Sequence, residues 1–242
     1  DVTDNLSCFG IFGPKSRSLL NDLLVNEFDN NLFPFGTGKI LEVSDVPIWF
    51  QRLSYVGELG WEMYIPINHA KKIYEKIIEI GKIHKLVHAG AHAMDIMRME
   101  KGYLHWGHDI SPKENPFEAG LKFSVKLNKD CDFIGKNALL KIQDQDTEKK
   151  LIMLSLENSE PGKPLLLHDE PIFLNGEIIG ETTSGNYSFN FNKNISFGYI
   201  KTEKKISELI NGNFEIEVAK KKYKAHLQTK PLHDPKNFLI KS

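Results

Sequence analysis

Residues 55–64 read YVGELGWEMY. Gly57 and Gly60 punctuate a turn, and from Trp61 to Ile65 apolar and polar residues alternate. Successive side chains of a strand point to opposite faces. Trp61, Met63 and Ile65 are therefore expected to face a core, with Glu62 and Tyr64 together on the other side. Upstream, Pro47 to Tyr55 is rich in β-branched and aromatic residues and predicts a partner strand. A turn between two strands brings facing residues together, which is expected to set Tyr55 near Glu62.

Glu62 has two readings at this point. It lines a cavity, or it is a solvated carboxylate on an edge strand. A carboxylate accepts two parallel hydrogen bonds from one ring edge, which suits a fused heterocycle with adjacent N–H and amino donors, such as a pterin. A charged hydrogen bond of that kind contributes about 1.5–3 kcal/mol net. Tyr55 and Tyr64 would supply aromatic walls or a hydroxyl.

Working outward, Cys8 to Phe12 predicts a short strand. Pro14 to about Asn26 predicts an amphipathic helix through Leu19, Leu20, Leu23 and Leu24. Lys39 to Val43 predicts another strand. Asn68 is placed to cap a helix carrying Ile73, Ile77 and Ile80 and stopping near Gly81. A further helix is expected over Ala91 to Lys101, a strand over Phe117 to Leu127, and a short helix from an Asp132 cap to about Gln143. Beyond Lys149, six short β-rich runs and the hairpin signal Asn175-Gly176 suggest a small barrel or sandwich. The charged run 144–150 reads as a linker. The expected fold class is α+β: an antiparallel sheet with flanking helices over 1–145, then a small β-barrel over 146–242.

The chain has 242 residues, 40% hydrophobic and 26% charged, with a net charge of −1. Neither nucleic acid nor an anionic membrane surface is favoured by that balance. Two cysteines, Cys8 and Cys131, make no disulfide framework and read as thiols in a reducing compartment, the cytoplasm or a mitochondrial matrix. No apolar run of transmembrane length and no export-signal pattern is present. The abrupt start at Asp1, with no Met, reads as a piece of something longer.

YVGELGWEMY resembles the Y-T-G-E-x-G-[FWV]-E signature of the glycine-cleavage T-protein superfamily. FGIFGPKSRSLL (9–20), MRMEKGYLHWGHDI (97–110), NPFEAGLKFSVKLNKDCDFIGKNAL (115–139) and GETTSGNYS (180–188) agree in order and spacing. Within that superfamily the chain looks most like the C-terminal folate-binding part of dimethylglycine and sarcosine dehydrogenases, N-terminally truncated. The resemblance implies tetrahydrofolate as cofactor, with contacts at Tyr55, Glu62, Met63 and Tyr64. Phe123, at a position where relatives carry Tyr, would keep a stacking surface without the hydroxyl.

The resemblance implies capture, as methylenetetrahydrofolate, of a one-carbon unit from an N-methyl amine oxidised elsewhere. The partners are then a folate, a methylated amine and an FAD domain upstream or on another chain. Where T-proteins carry Arg before the Asp of R-D-x-x-R-x-E, this chain has Met94, followed by Asp95, Arg98 and Glu100; this favours the dehydrogenase branch. The family's catalytic Asp lies upstream of residue 1, so no catalytic residue is named. Three alternatives stand: an aminomethyltransferase of the glycine cleavage system, a flavin-independent folate-dependent demethylase, and a non-catalytic folate-binding protein.

Other patterns weigh less. Gly36-x-Gly38 lacks the third glycine and the helix of a dinucleotide fingerprint, so FAD is expected only in a domain outside this chain. His84, His88 and His92, and the set His105, His108 and Asp109, invite a metal, but Gly90 and Gly107 interrupt them, and surface histidines are the expectation. Ser184 lacks the nucleophile-elbow glycines. Lys220 to Lys222 reads as a hairpin tip.

Overall fold

The computed structural model describes residues 1–145 and 147–242. Residue 146, inside the expected linker, lies outside the described residues. The chain forms two compact units: residues 1–101 with 233–242, and residues 102–232.

The first unit is built on a four-stranded antiparallel sheet. Its elements are β1 (Leu6–Phe12), α1 (Ser16–Leu23), β2 (Gly38–Val43), β3 (Val46–Gln51), β4 (Gly60–Pro66), α2 (Ala70–His84) and α3 (Ala91–Glu100). The strand order is β1-β4-β3-β2. Trp61, Met63 and Ile65 are fully buried while Glu62 and Tyr64 are half-exposed, as the alternation predicts. Their core is shared with Ile48 and Phe50 of β3, Leu19, Leu20 and Leu23 of α1, and Ile73 and Ile77 of α2. All these side chains lie on one side of the sheet, which leaves the other side open.

Two helix-boundary expectations are corrected. Asn68 caps nothing: it sits in a 3-10 turn, Ile67–His69, that runs directly into α2. Gly81 does not end α2, which continues to His84 and closes on Lys85 in the left-handed region (φ 59°). The chain then folds back on Gly81: the Leu86 amide donates to its carbonyl at 2.9 Å. A Cβ on Gly81 would fall 2.5 Å from the Leu86 side chain, so the glycine serves the return of the chain after the helix.

The second unit holds α4 (Lys136–Ile142) and a closed barrel of β5 (Lys149–Leu156), β6 (Pro171–Leu174), β7 (Glu177–Ser188), β8 (Lys193–Lys201), β9 (Phe214–Val218) and β10 (Lys221–Gln228). Neighbours follow the order β10-β5-β8-β7-β6-β9, and β9 pairs back with β10. Ile152, Leu154, Ile172, Ile200, Phe214 and Ile216 are among the side chains that fill it. Asn175 and Gly176 both have positive φ, 53° and 90°, as a two-residue hairpin requires. Ala219 and Lys220 make the β9–β10 turn in the same way, so the lysine run begins at a hairpin tip.

Residues 117–127 are not a strand. Asn115 accepts from the amides of Phe117 and Glu118, and Glu118 accepts from the amide of Asn115, a reciprocal arrangement that winds the segment into turns. Asp132 does not cap α4, which starts after Gly135 (φ 91°). A last helix, α5 (Phe238–Lys241), returns to the first unit.

Candidate functional site

The open face of the sheet is ordered by its register. Cys8 of β1, Tyr64 of β4, Trp49 of β3 and Ile40 of β2 form one row across the strands. Gly10, Glu62, Gln51 and Gly38 form the next. Ile40 is 65% and Trp49 is 42% exposed, an uncommon pair of apolar side chains to leave in water.

Glu62 and Tyr64 meet because residues two apart on a strand share a face. The Tyr64 hydroxyl donates to Glu62 Oε2 at 2.6 Å. That bond to a carboxylate, then burial and the negative charge itself, push the Tyr64 phenol well above its ordinary range. The phenol thus stays a donor. Burial and the Glu62 charge also raise the Cys8 thiol, against a lowering contact with Tyr64. Oε1 of Glu62 accepts no hydrogen bond among the described residues. The group is a carboxylate with one oxygen held and one free to accept.

Two aromatic rings lean over this row. A Cβ on Gly38 would lie 2.2 Å from Trp49 Cζ2, and one on Gly10 would lie 2.5 Å from Phe12 Cε2. Phe12 also covers Gly60, where a Cβ would approach Cδ1 to 2.3 Å. The three glycines make room for the rings. The result is an acidic centre with an aromatic side chain toward each end, the acceptor and stacking set that suits a flat heterocycle with N–H donors.

Tyr55 is not opposite Glu62. The strand β3 stops at Gln51, and residues 52–59 form a loop. Arg52 continues the core-facing parity of Ile48 and Phe50 and is 1% exposed: its guanidinium lies 5.4 Å from the Trp61 ring centroid and donates to the carbonyls of Phe33 and Ser242. At Arg52 the backbone bonds to Gly36 and Thr37, the β3–β4 pairing stops at Gln51, and Gln51 is the residue facing Glu62. Tyr55 sits half-buried in the loop. Met63 presents its side chain to the core, fully buried, and its backbone pairs with Phe9 and Phe50. Phe123 belongs to the second unit, in the turn Lys122–Ser124, with 75% of its surface exposed. Trp49, Gln51, Phe12 and Cys8 escaped the sequence reading. The parity of β3 was the available signal for Trp49 and Gln51, and it needed the register to become useful.

In α3, Arg98 is buried and pairs with Asp95 through Nε (2.9 Å) and Nη2 (2.8 Å). Met94 is 40% exposed. The histidines at 84, 88 and 92 do not align, because α2 ends at His84 and α3 begins at Ala91. Among the described residues no group of three or more His, Cys, Asp or Glu side chains is gathered as for a metal ion.

The second unit carries its own buried polar cluster. Asp109 is fully buried, and Oδ1 accepts from Thr183 Oγ1 (2.6 Å) and Ser184 Oγ (2.7 Å). Oδ2 accepts from the His105 amide, and the Tyr199 hydroxyl donates to the Asp109 carbonyl. Adjacent strand residues normally point to opposite faces. A β-bulge between Thr182 and Ser184 lets both hydroxyls reach one carboxylate. Ser184 is thereby a donor to a buried carboxylate, and residues 105–109 and 180–188 are joined within the unit.

Comparison with known proteins identifies the family and the fold. Residues 1–129 match the family model for the GCVT N-terminal domain, and residues 149–234 match that for the glycine cleavage T-protein C-terminal barrel domain. Human mitochondrial dimethylglycine dehydrogenase is 35% identical over 96% of this chain and 26% of its own length. Mouse mitochondrial sarcosine dehydrogenase is 34% identical over the whole chain and 26% of its own length. An aminomethyltransferase of Symbiobacterium thermophilum is 35% identical over 83% of the chain and 52% of its own length. The chain therefore spans about a quarter of the dehydrogenases and half of the transferase. The crystal structure of aminomethyltransferase T from Bartonella henselae shares the fold, with a TM-score of 0.80 and 24% identity over 95% of this chain and 60% of that one. On motif, fold and both family models, this chain belongs to the glycine cleavage T-protein family.

Proposed function

We propose that the open sheet face binds the pterin of tetrahydrofolate and that the chain serves one-carbon transfer in an enzyme of the dimethylglycine or sarcosine dehydrogenase kind. One observation carries the reading: Glu62 is held by Tyr64 through one oxygen and offers the other on an aromatic-flanked face. Glu62 would accept from the N–H and amino donors of the pterin. Tyr64 would orient that carboxylate, and Met63 would support the strand from the core side. Tyr55 and Phe123 remain the further folate contacts that the family resemblance implies. Folate supplies the nitrogen that accepts the one-carbon unit. The flavin that oxidises the N-methyl amine belongs, on this reading, to a domain outside these residues. Both cysteines are free, which suits the cytoplasm or a mitochondrial matrix.

Titration of folinic acid into the protein and its Glu62→Ala variant tests the assignment. Loss of a charged hydrogen bond of about 1.5–3 kcal/mol corresponds to roughly a ten- to hundredfold weaker Kd. Equal affinities would remove Glu62 from the site. An aminomethyltransferase acting on a carrier-bound aminomethyl group is the second reading, favoured by the transferase relatives, of which the chain spans the larger share. Flavin content of the full-length protein separates the two.

A further inference from the structure

Gln51 lies directly across from Glu62 on the neighbouring strand, on the same open face. Side chains of such a pair start only about 4.5–5.5 Å apart. The Gln51 side chain is half-exposed and takes part in no hydrogen bond among the described residues. A carboxylate and an amide therefore stand side by side, between the Trp49 ring over Gly38 and the Phe12 ring over Gly10. The carboxylate can only accept: Oε1 is free among the described residues, and Oε2 keeps a second lone pair beside its bond from Tyr64. The amide can donate through its nitrogen. Together they present acceptor, acceptor, donor along one line.

We propose that Gln51 is a specificity-determining residue of this site, and that its amide reads the ring carbonyl next to the two donors held by Glu62. The complementary edge is amino, ring N–H, carbonyl. A 2-amino-4-oxo pteridine carries it, and so does guanine. The inference rests on the sheet face being the folate site, and it commits to the 2-amino-4-oxo edge as the feature recognised. A buried polar group shaped for one partner rejects an analogue that leaves it unpaired or meets it with a like group. A 4-amino ring would put donor against donor.

Folic acid and aminopterin differ within the pteridine at the 4-substituent and at N3, which carries a proton only in the 4-oxo form, and they are the probes. The wild-type chain should bind folic acid at least tenfold more tightly than aminopterin. Gln51→Leu should cut that ratio at least threefold, leaving the part that the N3 proton contributes at Glu62. Gln51→Glu, now an acceptor, should reverse the order. A merely structural role for Gln51 would weaken both ligands together and leave the ratio untouched. An unchanged ratio in Gln51→Leu, with no reversal in Gln51→Glu, overturns the proposal. Guanosine monophosphate forms the third arm: binding tighter than folic acid would assign the edge to a nucleotide and overturn the pterin. Failure of the underlying site looks different, because then neither folic acid nor aminopterin binds the wild-type chain, or Glu62→Ala leaves both unaffected.

Discussion

Tyr64 and Glu62 are a pair in which each fixes the state of the other. The phenol is raised chiefly by its bond to the carboxylate, so its folded pKa lies above its unfolded value. The stabilisation is complete below the ordinary tyrosine range near 10 and is lost as pH rises from there through the folded value. Tyr64→Phe is accordingly expected to cost on the order of 1 kcal/mol at pH 7 for a half-exposed charged bond. In urea unfolding, the gap from wild type should narrow at strongly alkaline pH; a gap independent of pH would contradict the coupling. The shared face of these two residues was readable from alternation alone. Their neighbour was not. The alternation Ile48, Phe50, Arg52 puts Arg52 on the core face, but nothing in the pattern 47–55 announces that pairing with β4 stops at Gln51, which leaves Gln51 and not Tyr55 opposite Glu62.

A strand with a bulge can hold what a regular strand cannot. The irregularity at Thr183 gathers two adjacent hydroxyls on Asp109, and a third donor comes from the His105 amide. Asp109→Ala leaves those donors unpaired in a buried place, at a cost of about 2–4 kcal/mol. Asp109→Asn keeps an acceptor and should lose less. Denaturant midpoints of the two variants check this, and equal midpoints would deny the carboxylate its role. The existence of all six barrel strands was legible from β-rich runs and the Asn175-Gly176 turn, whereas the length of β7 was not. Residues 117–127 misled for the opposite reason. Their composition suits a strand, but Asn115 and Glu118 bond the local backbone first, and short-range side-chain bonds of this kind outcompete a ladder.

On the scale of the molecule, the chain makes its first unit from two segments, interrupted once in sequence by residues 102–232. Lys101 and Asp234 form an ion pair at 3.0 Å with 2% and 4% of their side chains exposed. Burial works to raise the Asp234 carboxyl, but Lys101 and the amides of Phe238 and Leu239 outweigh it and hold the group below the usual carboxylate range. A depressed carboxylate stabilises the fold above its unfolded pKa and ceases to do so as pH falls through the folded value. Asp234→Ala should therefore be less stable than wild type at pH 7, and the difference should vanish in strong acid. A difference that persists there would place the effect in packing alone. No periodicity or motif in residues 233–242 reveals this return, because it depends on partners more than a hundred positions away.

That return has a consequence for synthesis. The His233 amide donates to the Glu100 carbonyl at 2.9 Å, so the chain leaves the first unit and re-enters it at one place. A ribosome delivers residues in order. The barrel, whose last strand ends at Gln228, can seal while the unit it interrupts still lacks its closing segment. The sheet that carries Glu62 is translated early and locked late, and Arg52 waits for its acceptors at Lys241 and Ser242 until the final residues of this stretch have emerged.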